Sequence, residues 1–118
     1  MRLPLAAALA GLIALPAYAQ SQFFEVDETV SVPGFEMDAD QADEYDVYDA
    51  TGRKIGEVEE VVGSNRAMAD AFVVDFEDAL TEYGDEERVI PLTEFKFDGK
   101  GFVLSDGADV ETMPTWID

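Results

Sequence analysis

Along residues 71–77 the side chains alternate, with Phe72, Val74 and Phe76 on one side and Ala71, Val73, Asp75 and Glu77 on the other. A period of two is what a strand with one face in a core requires, so this segment predicts a half-buried β-strand. The same texture recurs from Tyr45 onward in pieces separated by glycine turns. Residues 45–50 predict a first strand, Thr51-Gly52 a turn, and residues 54–62 a second strand. Ile55, Val58 and Val61 lie three apart, which a helix would also satisfy, but Gly56, Gly63 and the β-branched content favour a bulged strand. Residues 78–87 read as an acidic loop around Tyr83-Gly84. Residues 88–92 return as a strand whose Pro91 has no N–H for a ladder, which places it at an edge or a bulge. Phe95 and Phe97 share a face, Asp98-Gly99 opens a tight turn through Gly101, and Phe102 and Leu104 come back on the matching face as a hairpin. Residues 108–113 fit a single helical turn that Pro114 stops.

Upstream of Tyr45 the pattern changes. Residues 20–51 hold Glu25, Asp27, Glu28, Glu36, Asp38, Asp40, Asp43, Glu44, Asp46 and Asp49 and no basic residue. Up to Ala42 no period is sustained, and Pro33-Gly34 signals a turn. Residues 20–42 therefore read as an acidic leader, extended or partly disordered, with a short strand within 25–32. Phe23 and Phe24 have no evident core partner in it; they either add to a sheet edge or anchor another protein.

Residues 1–19 have a different logic. Arg2, an apolar run over 3–16 and the small-x-small triplet Ala17-Tyr18-Ala19 make a secretory signal peptide cleaved before Gln20. An uncleaved anchor is the competing reading, but Pro4 and Pro16 shorten the usable helix below a membrane span. No cysteine follows for lipid attachment, and no later apolar stretch is long enough to cross a bilayer. The expected location is the periplasm, with secretion as the alternative, and residues 20–118 suffice for one small domain.

Composition then excludes chemistry. The chain has no cysteine and no histidine, which removes disulfide staples, zinc sites of the usual nitrogen and sulfur type, Ser-His and Cys-His nucleophile pairs, and histidine-ligated haem. Its formal charge is −20, one unit more negative once Arg2 leaves. Such a field repels nucleic acid and anionic headgroups, so neither nucleic acid nor membrane insertion after cleavage is expected. A solvated, soluble surface accounts for it without a partner; cations and basic proteins are what it attracts.

The order of elements resembles the PRC-barrel domain, known from the H subunit of photosynthetic reaction centres and from a bacterial ribosome-maturation factor. The resemblance is carried by Tyr45-Asp46-Val47-Tyr48-Asp49, the turn Ala50-Thr51-Gly52-Arg53-Lys54, and Ile55-Gly56-Glu57-Val58-Glu59-Glu60-Val61. It continues through Val73-Val74-Asp75, Val89-Ile90-Pro91-Leu92 and Met113-Pro114-Thr115-Trp116, and covers residues 45–116. It implies an all-β fold, a small PRC-type barrel of about six short strands with a short C-terminal helical turn. It also implies a non-catalytic interaction or assembly module of the exported, stand-alone bacterial type, since the family has no shared catalytic site. The leader lies outside the common pattern, and so the partner does not carry over.

The remaining constellations are weighed on their own. Asp38, Asp40, Asp43, Glu44 and Asp46 are the densest carboxylates and suggest calcium, but the EF-hand template fails because Ala42 stands at the third ligand position and Asp43 at the required glycine. A solvated linker with non-specific divalent cations is the preferred reading; an acidic cation-binding protein is the alternative. Asp85-Glu86-Glu87 beside Arg88 reads as compensated surface charge. Carboxylate pairs for acid and base work arise by chance in so acidic a chain, and a domain this small leaves little wall for a substrate cleft. No catalytic, cofactor-binding or metal residue is therefore assigned, no cofactor is expected, and the partner is expected to be another protein. Phe72, Phe76, Phe95, Phe97 and Phe102 are core candidates, and Trp116 is expected to cover an open end of the barrel.

The cleavage reading predicts that the exported protein begins at Gln20, as N-terminal sequencing would record; an intact mass that retains residues 1–19 would favour the anchor instead.

Overall fold

The computed structural model describes residues 22–117, so the expected signal peptide lies outside the described residues. In chain order the strands are β1 (Phe24–Glu25), β2 (Ser31–Val32), β3 (Met37–Asp38), β4 (Asp46–Tyr48), β5 (Lys54–Gly63), β6 (Ala71–Phe76), β7 (Arg88–Pro91), β8 (Phe95–Phe97) and β9 (Phe102–Leu104). One helical turn, α1 (Ala39–Ala42), precedes β4, and 3-10 turns form at Leu92–Glu94 and Val110–Thr112. From Tyr45 on, the strands are the six that the alternation predicts, and the last 3-10 turn ends just before Pro114.

The six join β1 in one curled sheet of order β7-β6-β5-β4-β9-β8, with β1 beside the far end of β5. All neighbours are antiparallel except β4 and β9. The curl has a local cause. The register of β5 against β6 passes from Val58 opposite Val74 to Glu60 opposite Val73, so Glu59 is an extra residue. A bulge of this kind bends a strand and strengthens its twist, which lets one long strand serve β4 at its start and β1 at its end. At that end, a Cβ on Gly63 would fall on the Met68 carbonyl, because the 64–68 loop folds back across it. Only glycine fits there.

Inside the curl, Phe102 is the hub, fully buried, with ring centroids 4.6 Å from Phe72, 5.2 Å from Phe97 and 5.2 Å from Phe35. Phe72, Ile55, Ile90, Val47 and Val74 complete the inner layer. Among the core candidates Phe72, Phe76, Phe95 and Phe102 are buried, while Phe97 is half-buried against Tyr45.

Three expectations are corrected. Residues 22–42 do not stand apart as a leader: Val32, Ala39 and Ala42 are in the main core, and the β2–β3 turn drops Phe35 onto Phe72 and Phe102. Sequence periodicity misses this because the segment contributes single residues at irregular spacing, positioned by contacts such as Ala39 N–H donating to Val30 C=O (2.8 Å). Strand β6 is not half-buried; Ala71 and Val73 on its outer face lie with Val62 and Val89 in a second cluster, covered by Phe23 and Trp116. Trp116 accordingly packs on that outer face rather than over an open end. Phe24 takes the first of its two expected roles and adds to the sheet edge, opposite Gly63.

Arg88 ties the C-terminal segment down. Its guanidinium donates to the carbonyls of Met113 (2.8 Å) and Glu111 (3.3 Å), while Val89 N–H donates to Pro114 C=O and Trp116 N–H to Glu87 C=O. The chain end thus runs along the outer rim of β7.

Because Phe35 completes the inner layer, Phe35→Ala should lower the unfolding free energy by about 2–4 kcal/mol in a urea melt. Removing residues 20–42 altogether should abolish the cooperative transition. Parent-like melts of both variants would restore the reading of an independent leader.

Candidate functional site

The densest carboxylates of the sequence separate once folded. Asp38 is the N-cap of α1: its side chain accepts from Gln41 N–H (2.9 Å), and the Gln41 side chain accepts from Asp38 N–H (2.9 Å) in a reciprocal capping box. Asp46 pairs with Lys54 at 3.5 Å. Asp40, Asp43 and Glu44 remain together, exposed, with carboxylate oxygens within 4.8 Å of one another. Burial raises the Asp43 carboxyl above its ordinary value, and Asp40, Glu44, Glu28 and Asp38 add to the rise by repulsion.

A second group, Glu57, Glu59 and Asp75, also lies within 4.8 Å. Sequence reading passes over it because Glu57 and Asp75 meet only through β5–β6 pairing, opposite one another in register. The usable signal was alternation: both carboxylates occupy outward positions of predicted neighbours. Calcium asks for six to eight oxygens. Three carboxylates from either group, exposed in the first and with Glu59 half-buried in the second, fall short of that number and would hold an ion loosely, as a counter-ion shared with solvent.

The lowest carboxyl has a structural occupation. Asp49 accepts from the Thr51 hydroxyl (2.7 Å) and from the backbone N–H groups of Thr51 and Arg53 (3.0 Å each), and Arg53 lies 3.1 Å from its other oxygen. Those donors, the Thr51 hydroxyl foremost, hold it at about 2 and close the β4–β5 turn. Asp98 does the same for the β8–β9 turn, accepting from Lys100 N–H (2.9 Å) and Gly101 N–H (3.0 Å), which lowers its carboxyl. Among the described residues no polar or charged residue is fully buried.

The sheet has two rims, and they differ. The β7 rim carries Pro91 and is lined by the C-terminal segment, with Arg88 bridged to Thr115. The β8 rim borders an open cleft between the β2–β3 turn and the hairpin, lined by Pro33, Phe35, Glu36, Asp70, Leu92 and Phe97 among others. Glu36 holds a positive φ of 52°, uncommon for a residue with a side chain, and this turns the loop so that Phe35 faces inward.

A family model for the PRC-barrel domain matches residues 36–111. The resemblance implied a small all-β barrel of PRC type, the one curled sheet is consistent with it, and the chain belongs to the PRC-barrel family. The matched region begins ahead of Tyr45, within the segment that supplies Ala39 and Ala42 to the core. No curated protein matches the chain.

Asp43 and Asp49 act in opposite senses on stability. Asp43 binds its proton more tightly when folded, so it contributes a gain as pH falls through its raised value, complete below 3.8. Asp49 contributes stability above 3.8 that is lost as pH falls toward 2. Asp43→Asn should therefore raise the melting temperature at pH 7, and Asp49→Asn should lower it and flatten the acid limb between pH 4 and 2. Calorimetric melts across that range check both signs; a fall for Asp43→Asn would mean that its charge is stabilised by something other than its neighbours here.

Proposed function

We propose that this protein is a non-catalytic interaction module of the periplasm, whose partner is another protein and whose contact surface is the open sheet rim. The observation that supports this most directly is the difference between the two rims. The chain spends its own C-terminal segment, Arg88 and Pro91 on covering β7, yet β8 ends beside an open, partly apolar cleft. Among the described residues no charged side chain is fully buried, which favours recognition over acid and base chemistry. The family's lack of a shared catalytic site points the same way.

A specific observation keeps the cation-binding reading alongside it: Asp40, Asp43 and Glu44 gather near Glu28 on the face of α1. Truncating residues 20–42 cannot separate the two readings, since it would remove core residues. A photo-crosslinking side chain can. Placed at Lys96 on β8 in the exported protein, it should yield a discrete protein adduct, whereas the same group at Asp40 should not. An adduct from Asp40 alone, together with saturable stabilisation by micromolar calcium that is absent from an Asp40→Asn, Asp43→Asn, Glu44→Gln variant, would favour the alternative. Recovery of the protein from the cytoplasmic fraction would overturn the location.

A further inference from the structure

Strand β8 is a rim with its ladder groups half used. Toward β9, Ser105 N–H donates to Glu94 C=O (2.8 Å) and Asp98 N–H donates to Gly101 C=O (3.1 Å). In an antiparallel pair the residues alternate between facing the partner strand and facing away, so Glu94, Lys96 and Asp98 face β9 while Phe95 and Phe97 direct their backbone groups outward. The Phe95 N–H is taken by Leu92 C=O of the preceding 3-10 turn. What faces the cleft is the Phe95 carbonyl followed by the N–H and carbonyl of Phe97, the acceptor-donor-acceptor series to which a further strand pairs.

We infer that this rim receives an extended, basic segment of a partner protein by strand addition, with an apolar side chain of that segment entering the cleft beside Phe35 and Phe97. The inference rests on the reading of the domain as an interaction module and names the chemistry of its partner. The cleft supplies an apolar wall from Phe35, Leu92 and Phe97 and two carboxylates, Glu36 and Asp70, against the one cation of its lining, Lys96. A strand added there alternates its side chains, so one set meets that wall and those carboxylates while the other stands on the outer face.

Charge selects the partner. At −20 overall, two copies of this chain repel, and Lys96 on each rim would add a like-charge contact to any β8–β8 pairing. Most of the chain's own cations are committed elsewhere: Arg53 to Asp49 and Glu82, Lys54 to Asp46, Arg66 to Asp27, Arg88 to Glu86 and the C-terminal carbonyls, and Lys100 to the Tyr48 ring, which leaves Lys96 on this rim. A lysine- or arginine-bearing strand is steered in by the field and set by the ladder.

The test uses the isotopically labelled exported protein, residues 20–118, and three synthetic peptides: a Lys-Val peptide in which Lys, Val and Lys are spaced by single threonines so that all three share the cleft-facing side, a Glu-Val peptide with Glu in place of Lys, and the Lys-Val peptide with its backbone nitrogens methylated. The Lys-Val peptide should shift the amide resonances of residues 95–97 and slow hydrogen exchange at Phe97, and Glu36→Lys should weaken its binding about tenfold. Neither the Glu-Val nor the N-methylated peptide should protect Phe97. Equal binding of the methylated peptide, or shifts confined to residues 40–44, would reduce the effect to charge and overturn strand addition. Phe97 protection that rises with protein concentration in the absence of peptide would make the occupant a second copy and overturn the basic partner. An adduct captured by photo-crosslinking from a site other than Lys96, with all peptides inert, would sink this inference and leave the interaction-module reading standing.

Discussion

The contact on which the rest of the molecule depends is that of Phe35 with Phe102 and Phe72. A curled sheet this short has too little chain to close around its inner layer, and open apolar surface of that kind is costly to leave in water. The segment before β4 supplies the cover. Its turn at Pro33-Gly34 and the positive φ of Glu36 bring one aromatic ring 5.2 Å from the hub, and α1 seats Ala39 and Ala42 alongside. The acidic character of that segment is the surface of a piece of core.

Covering is repeated on the outside. Phe23 before β1 and Trp116 after the last 3-10 turn, from opposite ends of the described chain, lie on Val62, Ala71, Val73 and Val89. Arg88 links this outer layer to β7 by holding the carbonyls of Glu111 and Met113. A domain without disulfides is thus tied at both ends of its described residues by aromatic packing and one guanidinium. The same arrangement lines the β7 rim with the C-terminal segment and leaves the β8 rim beside an open cleft.

Much of this was legible in the sequence where the signal is local. Alternation over 71–77, the Phe95/Phe97 and Phe102/Leu104 hairpin, Pro91 at a rim and the bulged character of 54–62 each express a backbone rule acting within a few residues, and each stands in the fold. What stayed hidden depends on distant residues. Nothing near Phe35 indicates that Phe102 will lie beneath it, nor does the alternation of β6 disclose that Phe23 and Trp116 will cover its second face. For the site, the sequence pointed to the carboxylates of 38–46, yet capping by Asp38 and pairing of Asp46 divide them, and Glu57 and Asp75 meet only across a ladder. Which rim the C-terminal segment lines carries no local signal in the sequence, because it is decided by the path of that segment.

Whether the segment before β4 is part of one cooperative unit can be measured directly by native-state hydrogen exchange at increasing denaturant. The amides of Val26, bonded to Val61 C=O, and Ala39, bonded to Val30 C=O, report on that segment, and those of Phe72 and Val74 report on the centre of the sheet. The account predicts that all four merge into a single global opening with one free energy and one denaturant dependence. Exchange of Val26 and Ala39 through a separate, cheaper opening, while Phe72 and Val74 stay protected, would contradict it.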